Sequence, residues 1–183
     1  MKKPKIVNLI PALAIFFVSC NIHTSSNDYL LKTVKGGHDE IGCECGYKNI
    51  KGEMVIDFGK YFYCVTDTFR TMAVVYTKQG RIIAIDKDEK ELFEVFIFDN
   101  GPDPLQEGLF RIKKNGKIGY ADATGKIVIS PIYDCAFPFE NGQAKVSLKC
   151  KTKQLEEHSI WESNEWIYIN KKGEIVKNTS LVN

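Results

Sequence analysis

Cysteine and histidine are the residues of this chain best suited to metal binding, and they meet in one short stretch. Cys43-Glu44-Cys45, with His38 nearby, offers soft ligands, but a zinc site ordinarily uses paired Cys-x-x-Cys motifs. In a strand, Cys43 and Cys45 point to the same face, as ordinary core residues do. We therefore expect no metal ion here.

Catalysis by a nucleophile requires a base held beside it by a third group. His38 lies in no recognisable constellation of this kind. His158, beside Glu156 and Glu157, is typical of a solvated loop. There is no G-x-S-x-G motif and no phosphate-binding glycine loop. We expect no catalytic residue and no cofactor.

Paired carboxylates are the last candidates for chemistry. The pairs Asp86/Asp88 and Asp99/Asp103 have the residue types of a glycoside hydrolase. Residues 99–103 also have a calcium-like composition, but the distal bidentate Glu of a complete calcium loop is missing. The segment is typical of a turn, and hydrolysis is the least favoured hypothesis.

The elements that would position these residues are clearest between residues 107 and 146. Phe110 and Ile112 alternate with Arg111 and Lys113, which predicts a half-buried strand. Asn115-Gly116 predicts a type I′ hairpin turn. The segment therefore predicts a meander of three strands, at residues 109–113, 118–122 and 127–129, with Pro131 ending the last.

This unit recurs along the chain. Intervals of 37, 36 and 48 residues separate the equivalent positions Tyr47, Ala84, Tyr120 and Tyr168. Each position is followed by a turn-capping residue (Asn49, Asp86, Asp122, Asn170), and three of the turns contain a glycine (Gly52, Gly125, Gly173). The strand before the Tyr position is found for three units, at residues 72–75, 109–112 and 143–146. Units too small to bury an apolar face alone are expected to stack.

A family resemblance rests on these residues. Residues 115–120 (NGKIGY), 125–129 and 131–146 resemble the bacterial WG-repeat, or KWG-repeat, proteins, and residues 165–176 resemble the core of a further repeat. The Trp of the motif is present only as Trp166, and its Gly only as Gly46 and Gly119. The resemblance implies a β-rich repeat, frequent on exported bacterial proteins, with no general catalytic activity.

The amino terminus predicts export. A basic start precedes the apolar residues 6–18, which are too few to span a bilayer. Residues 17–20 (FVSC) resemble the lipobox of bacterial lipoproteins, which implies that Cys20 becomes the first mature residue and carries acyl chains. An ordinary secreted protein is the alternative. Asn21, in place of Asp, favours the outer membrane, facing the periplasm or the cell surface.

Length and composition limit the rest. The 183 residues, 44% of them hydrophobic, are enough for one domain with a core. Cleavage removes three lysines and takes the formal net charge from +2 to −1, so no basic surface indicates a nucleic acid partner. We predict a signal peptide (1–19), lipidated Cys20 with a polar tether (20–38), a β-repeat domain (39–178) and a tail (179–183).

Five cysteines follow Cys20. Five is an odd number, so at least one thiol stays free or finds another partner. Cys135 and Cys150 could face each other across the strand that contains residues 143–148, and the pairing is left open. The cysteines concerned are Cys43, Cys45, Cys64, Cys135 and Cys150.

An insertion at residues 149–164 interrupts the last unit. It lacks a buried-strand pattern and predicts a loop on a binding face. Trp161 has two readings: an exposed contact residue, or a side chain that folds back over the open edge of the last repeat. The candidate interaction residues are Trp161, His158 and Trp166.

The fold we predict is all-β: about four antiparallel three-strand meanders in an open, curved, solenoid-like array, with an incomplete propeller as the alternative. The leading hypothesis for function is a lipid-anchored envelope protein that binds a protein or a glycan through one face of the array. A structural accessory subunit without its own ligand is the second hypothesis, and an envelope-polymer hydrolase is the third.

Overall fold

The computed structural model describes residues 28–155 and 158–176. All the regular elements in these two segments are β-strands, which confirms the all-β prediction, and neither segment holds a helix able to cross a membrane. The predicted signal peptide, Cys20 and the tail at residues 179–183 lie outside the described residues.

The strands are short and follow one another closely along the chain. Their bounds are β1 Leu30–Val34, β2 Cys45–Asn49, β3 Met54–Ile56, β4 Tyr63–Cys64, β5 Thr68–Phe69, β6 Ala73–Tyr76, β7 Ile82–Ile85, β8 Glu91–Val95, β9 Ile97–Phe98, β10 Gly101–Pro102, β11 Leu109–Lys114, β12 Lys117–Asp122, β13 Ile127–Tyr133, β14 Cys135–Ala136, β15 Gln143–Ser147, β16 Lys151–Leu155, β17 His158–Glu162 and β18 Ile167–Asn170.

Within the described segments these strands form five antiparallel sheets, none of which closes on itself. The orders are β3-β2-β1-β5, β13-β12-β11-β8-β7-β6-β4 and β14-β15-β18, with two-stranded sheets β9–β10 and β16–β17. The predicted strands of residues 109–129 are β11, β12 and β13, and they are adjacent in the second sheet. Asn115 and Gly116 both have positive φ, at 52° and 76°, as a type I′ turn requires.

The expected end of the third strand at Pro131 is wrong, because β13 continues to Tyr133. Ile118 lies opposite Tyr133 and Tyr120 lies opposite Ile129, so β13 uses more residues than β12 over the same length. A bulge of this kind accommodates Pro131, whose missing N–H is not needed there.

The bulge passes directly over Gly119. A Cβ on Gly119 would lie 2.5 Å from the carbonyl oxygen of Ile129 and 2.6 Å from the backbone nitrogen of Pro131. A Cβ on Gly46 would lie 2.5 Å from the carbonyl oxygen of Ile56 in the first sheet. Both glycines of the repeat motif are therefore required by the close approach of the next strand.

The four predicted turns share one hydrogen-bond pattern. In each, the side-chain oxygen of the capping residue accepts the N–H groups two and four residues later, at 2.9–3.1 Å. The residue three positions after the cap has positive φ, and in the second turn it is Glu89, at 62°. The repeat register is thus reproduced at all four positions, which are Asn49, Asp86, Asp122 and Asn170.

Two segments differ from expectation. β1 lies inside the predicted tether, where it pairs with β2 and β5 and buries Leu30. It supplies the first strand that the repeat pattern lacked in unit one. The insertion predicted as a loop contains the hairpin β16–β17. Its strands have no alternation because the side chains described in them are mostly exposed.

Among the described residues, three clusters of buried side chains form the core, and the central strands contribute to two clusters each. In β7, Ile83 and Ile85 join the first cluster, around Tyr47, while Ile82 and Ala84 join the middle one. In β11 and β12, Phe110, Ile112 and Ala121 join the middle cluster, whereas Leu109, Ile118 and Tyr120 join the third. The expectation of a half-buried β11 is therefore wrong, because both of its faces are covered.

We predict that Gly119→Ala lowers the free energy of unfolding by about 1–3 kcal/mol, since the new Cβ overlaps backbone that can move away only by opening the bulge. Urea unfolding followed by circular dichroism measures the change. Gly101→Ala is the matched control, because its Cβ would meet nothing closer than the carbonyl oxygen of Phe98 at 3.8 Å. Equal midpoints for the two variants would contradict this account.

Candidate functional site

The outer face of the sheet β14-β15-β18 carries exposed aromatic side chains. Lys145 lies opposite Tyr168, and the Phe137 N–H donates to the Lys145 carbonyl oxygen at 2.9 Å. These three residues therefore form a row across β18, β15 and the residue that directly follows β14, which we call the aromatic row. Phe137 is 39% exposed and Tyr168 is 40% exposed, while the alternate residues Ala144 and Ile169 are buried in the third cluster.

Trp166 extends this face, and Lys145 lies over it. The ring centroids of Phe137 and Trp166 are 5.5 Å apart. The Lys145 ammonium is 4.7 Å from the centroid of Trp166 and 5.9 Å from that of Phe137, within the range of cation–π attraction. The face thus combines aromatic rings with a positive charge held against them.

A shallow cavity of about 520 Å³ opens beside the row. Aromatic and proline side chains line it together with amide and charged side chains, which suits an amphipathic ligand better than a purely apolar one. We call it the last-sheet pocket; its lining residues are Phe137, Pro138, Glu140, Asn141, Gln143, Lys145 and Tyr168.

We call the equivalent positions Tyr47, Ala84, Tyr120 and Tyr168 the column of the repeat. Tyr120, the column residue of the third unit, lies beneath Phe137 and holds its backbone in place. Its hydroxyl donates to the Phe137 carbonyl oxygen at 2.6 Å, and its ring packs edge-on against Phe139 at 4.8 Å. Burial raises the pKa of Tyr120 well above its ordinary value, so the hydroxyl keeps its proton and stays a donor. In the first unit, Tyr47 donates in the same way to the carbonyl oxygen of Thr66, at 2.9 Å.

Arg111, predicted on an exposed face, is instead buried and paired with Asp103. Its guanidinium donates to both carboxylate oxygens of Asp103 and to the carbonyl oxygen of Ala136 at 3.2 Å. It also lies 4.2 Å from the ring centroid of Phe96. The pair is stabilised because the remaining hydrogen-bonding capacity is used inside the protein. Arg111 and Tyr120 together fix the backbone at Ala136 and Phe137.

Glu107 fixes the rim of the pocket. Its carboxylate accepts the Gly142 N–H at 3.1 Å and forms an ion pair with Lys171 at 2.9 Å. The hydrogen bond from Lys171, followed by that from Gly142, holds the pKa of Glu107 below its ordinary value. The loop that carries Asn141 is thereby joined to the turn after β18.

The three candidate residues of the sequence analysis lie in or beside the hairpin β16–β17. Trp161 is partly buried, with ring centroids 5.9 Å from Phe96 and 5.3 Å from Phe137. Trp166 also contacts Phe137, so the two Trp side chains meet around one ring. His158 begins β17.

Four of the five described cysteines form two disulfides. Cys135–Cys150 is the pairing that the sequence left open, and it joins β14 to the base of the hairpin. Cys45–Cys64 joins β2 to β4 and was not anticipated, because the contact depends on how two sheets pack. Cys45 is therefore not an available metal ligand, and Cys43 is a free, partly exposed thiol.

The acidic pairs are used structurally where the contacts are clear. Asp103 is bound by Arg111, and Asp86 caps the second repeat turn. Asp99 is exposed in the connection between β9 and β10. Sequence reasoning missed the aromatic row itself, although alternation in residues 143–147 and 167–170 was a signal that could have located Lys145 and Tyr168.

Comparison with known proteins gives one family match. Residues 118–149 match the family described as WG containing repeat. This segment includes Tyr120, the bulge at Pro131, Phe137 and Lys145, and it corresponds to the clearest unit of the sequence analysis. No curated protein matches the chain.

We predict that Arg111→Met destabilises the protein by about 3–5 kcal/mol, because Asp103 is left as a buried charge without a partner. The double variant Arg111→Met/Asp103→Asn should recover most of this loss, since Asn can still accept the backbone N–H of residue 111. Chemical unfolding of both variants measures the difference. A double variant no more stable than Arg111→Met would contradict the pairing.

Proposed function

We propose that this chain is a lipid-anchored protein of the bacterial cell envelope whose β-repeat domain binds another envelope macromolecule, a protein or a glycan. The observation that carries the proposal is the aromatic row beside the last-sheet pocket. Exposed aromatic rings clustered around a cation are typical of contact surfaces. Hydrogen bonds from Tyr120 and Arg111 hold this surface in place, so little order has to be gained on binding.

We also propose that the domain is an open, curved stack of four meander units. The support is the way the three buried clusters alternate along the central strands: each cluster takes side chains from one face of one unit and from the opposite face of the next. The shared turn pattern and the match to a WG containing repeat agree with this arrangement.

The envelope location rests on two features. Residues 17–20 resemble a lipobox, and the described residues contain two disulfides. Disulfides persist mainly in oxidising compartments outside the cytoplasm. Asn21 favours the outer membrane as the destination of the anchored protein.

A structural accessory subunit is the second candidate, favoured by an apolar tip elsewhere. Ile97 and Phe98 in β9 are 49% and 52% exposed, and Leu105 nearby is 51% exposed. Such a tip fits a permanent subunit contact. Hydrolysis has weaker support, because Asp103 of the acidic pair Asp99/Asp103 is already bound by Arg111.

Substitution of the lipidation residue tests the anchor. Full-length protein should fractionate with membranes and incorporate a labelled fatty acid, whereas Cys20→Ser should do neither, because the acyl chains supply the membrane affinity. Cys43→Ser is the control, since it removes a thiol without touching the predicted lipidation site. Failure of the natural protein to take up label would refute the anchor.

Substitution in the aromatic row tests the binding surface. In pull-downs from envelope extract, Tyr168→Ala should reduce recovery of the partner about tenfold, because an exposed aromatic contact is removed. Phe62→Ala, at another exposed aromatic ring, is the matched control. A loss caused by Phe98→Ala and not by Tyr168→Ala would assign binding to the apolar tip and favour the accessory-subunit alternative.

A further inference from the structure

The aromatic row repeats an arrangement that is buried twice elsewhere in the protein. The residue opposite the column Tyr is a cation in three units: Lys32 opposite Tyr47, Arg111 opposite Tyr120, and Lys145 opposite Tyr168. In the third unit, Phe96 lies on the other side of the cation, as Phe137 does beside Lys145. The last unit is therefore the same constellation, exposed.

The two buried copies show what completes this constellation. The column Tyr needs a backbone carbonyl for its hydroxyl and an aromatic ring for its edge. Thr66 and Phe69 supply them to Tyr47, with ring centroids 5.3 Å apart. The Phe137 carbonyl and the Phe139 ring supply them to Tyr120.

The cation in each buried copy also has a carboxylate. Lys32 is paired with Asp39 at 2.6 Å and with Asp67 at 2.7 Å, and its side chain is only 9% exposed. Arg111 is paired with Asp103. Both arrangements neutralise a charge that would otherwise be expensive to bury.

The last copy lacks these partners within residues 28–155 and 158–176. In those segments Lys145 contacts the rings of Phe137 and Trp166 but pairs with no carboxylate, and the Tyr168 hydroxyl has no carbonyl partner. The groups that the described residues do not supply to Lys145 and Tyr168 are therefore a carbonyl, an aromatic ring and a carboxylate.

We propose that the last-sheet pocket binds an extended polypeptide segment of a partner protein that carries an acidic residue two positions before an aromatic one. Such residues lie on the same face of an extended segment. The carboxylate would pair with Lys145, while a backbone carbonyl and the aromatic ring would engage Tyr168. This inference rests on the proposed binding function and chooses protein over glycan as the ligand.

The chain itself contains a segment with this chemistry. In residues 65–70, VTDTFR, the Thr66 carbonyl, the Asp67 carboxylate and the Phe69 ring complete the first unit together. Thr68–Phe69 is also a strand, β5, which pairs with the edge of β1. A synthetic peptide of residues 65–70 is therefore the natural probe for the exposed copy.

The experiment titrates the fluorescently labelled peptide with purified full-length protein in detergent and follows polarisation. We expect saturable binding that weakens about tenfold with Tyr168→Ala or Lys145→Glu, and by a similar factor when Asp67 of the peptide is replaced by Asn or Phe69 by Ala. The protein variant Lys145→Glu should bind the peptide variant Asp67→Lys more tightly than the natural peptide. Phe62→Ala is the control, and unfolding curves should show that all protein variants are folded.

Three outcomes would overturn the inference. The first is no saturable peptide binding, and the second is binding that ignores Lys145→Glu and Tyr168→Ala. The third is self-association that is lost with Lys145→Glu, measured by sedimentation, which would assign the face to a second copy.

A parallel arm with neutral chitooligosaccharides and an acidic polysaccharide separates this inference from the proposed function. Glycan binding that requires Tyr168, without peptide binding, would contradict the polypeptide ligand but agree with the proposed binding function. If neither the peptide nor the glycans bind, and the envelope pull-down is unaffected by Tyr168→Ala, both the polypeptide ligand and the proposed binding function would be contradicted.

Discussion

Short antiparallel strands with both faces covered are the constraint on which the rest of this structure depends. A single repeat unit of short strands cannot bury its hydrophobic face alone and depends on its neighbours to cover it. Here β7, β11 and β12 send alternate side chains into different clusters, so each strand contributes to burial twice. A fully buried Ile or Phe side chain contributes roughly 1.5–3 kcal/mol by leaving water, and the total over all buried side chains has to offset the entropy lost in ordering the chain.

The expectations for the turns, which depend on local sequence, were met, whereas several that depend on packing between strands and sheets were not. The type I′ turn at Asn115-Gly116 and the four capped turns depend on residues within a few positions of one another, so the local sequence determines them. The burial of Arg111, the bulge at Pro131 and the Cys45–Cys64 disulfide depend on what the next strand or sheet supplies. β1 was missed for the same reason, because its pairing partners β2 and β5 are separated from it along the chain.

The drift of the repeat motif follows from the same packing. Gly46 and Gly119 are kept where the next strand passes within contact distance of the backbone. At the equivalent position of the second unit, Ile83 instead sends its side chain into the first cluster. The column preceding these residues holds Cys45, Ile82 and Ile118, all buried, and then Trp166, which is partly exposed. The motif positions thus serve packing, and their identity changes with the neighbour they meet.

The candidate site was invisible to motif reasoning because no residue in it is chemically unusual. Tyr168 occupies the position that is buried at Tyr47, Ala84 and Tyr120, and Lys145 occupies the position of the partly buried Lys32 and the buried Arg111. What distinguishes the last unit is only that the described residues place no further layer over it. The side chains that pack one unit against the next already include aromatic rings, a cation and a hydroxyl. An end unit that no further layer covers can therefore present a binding face without any chemically unusual residue. Function in such a protein is therefore expected where the repetition stops, rather than where the sequence departs from the repeat.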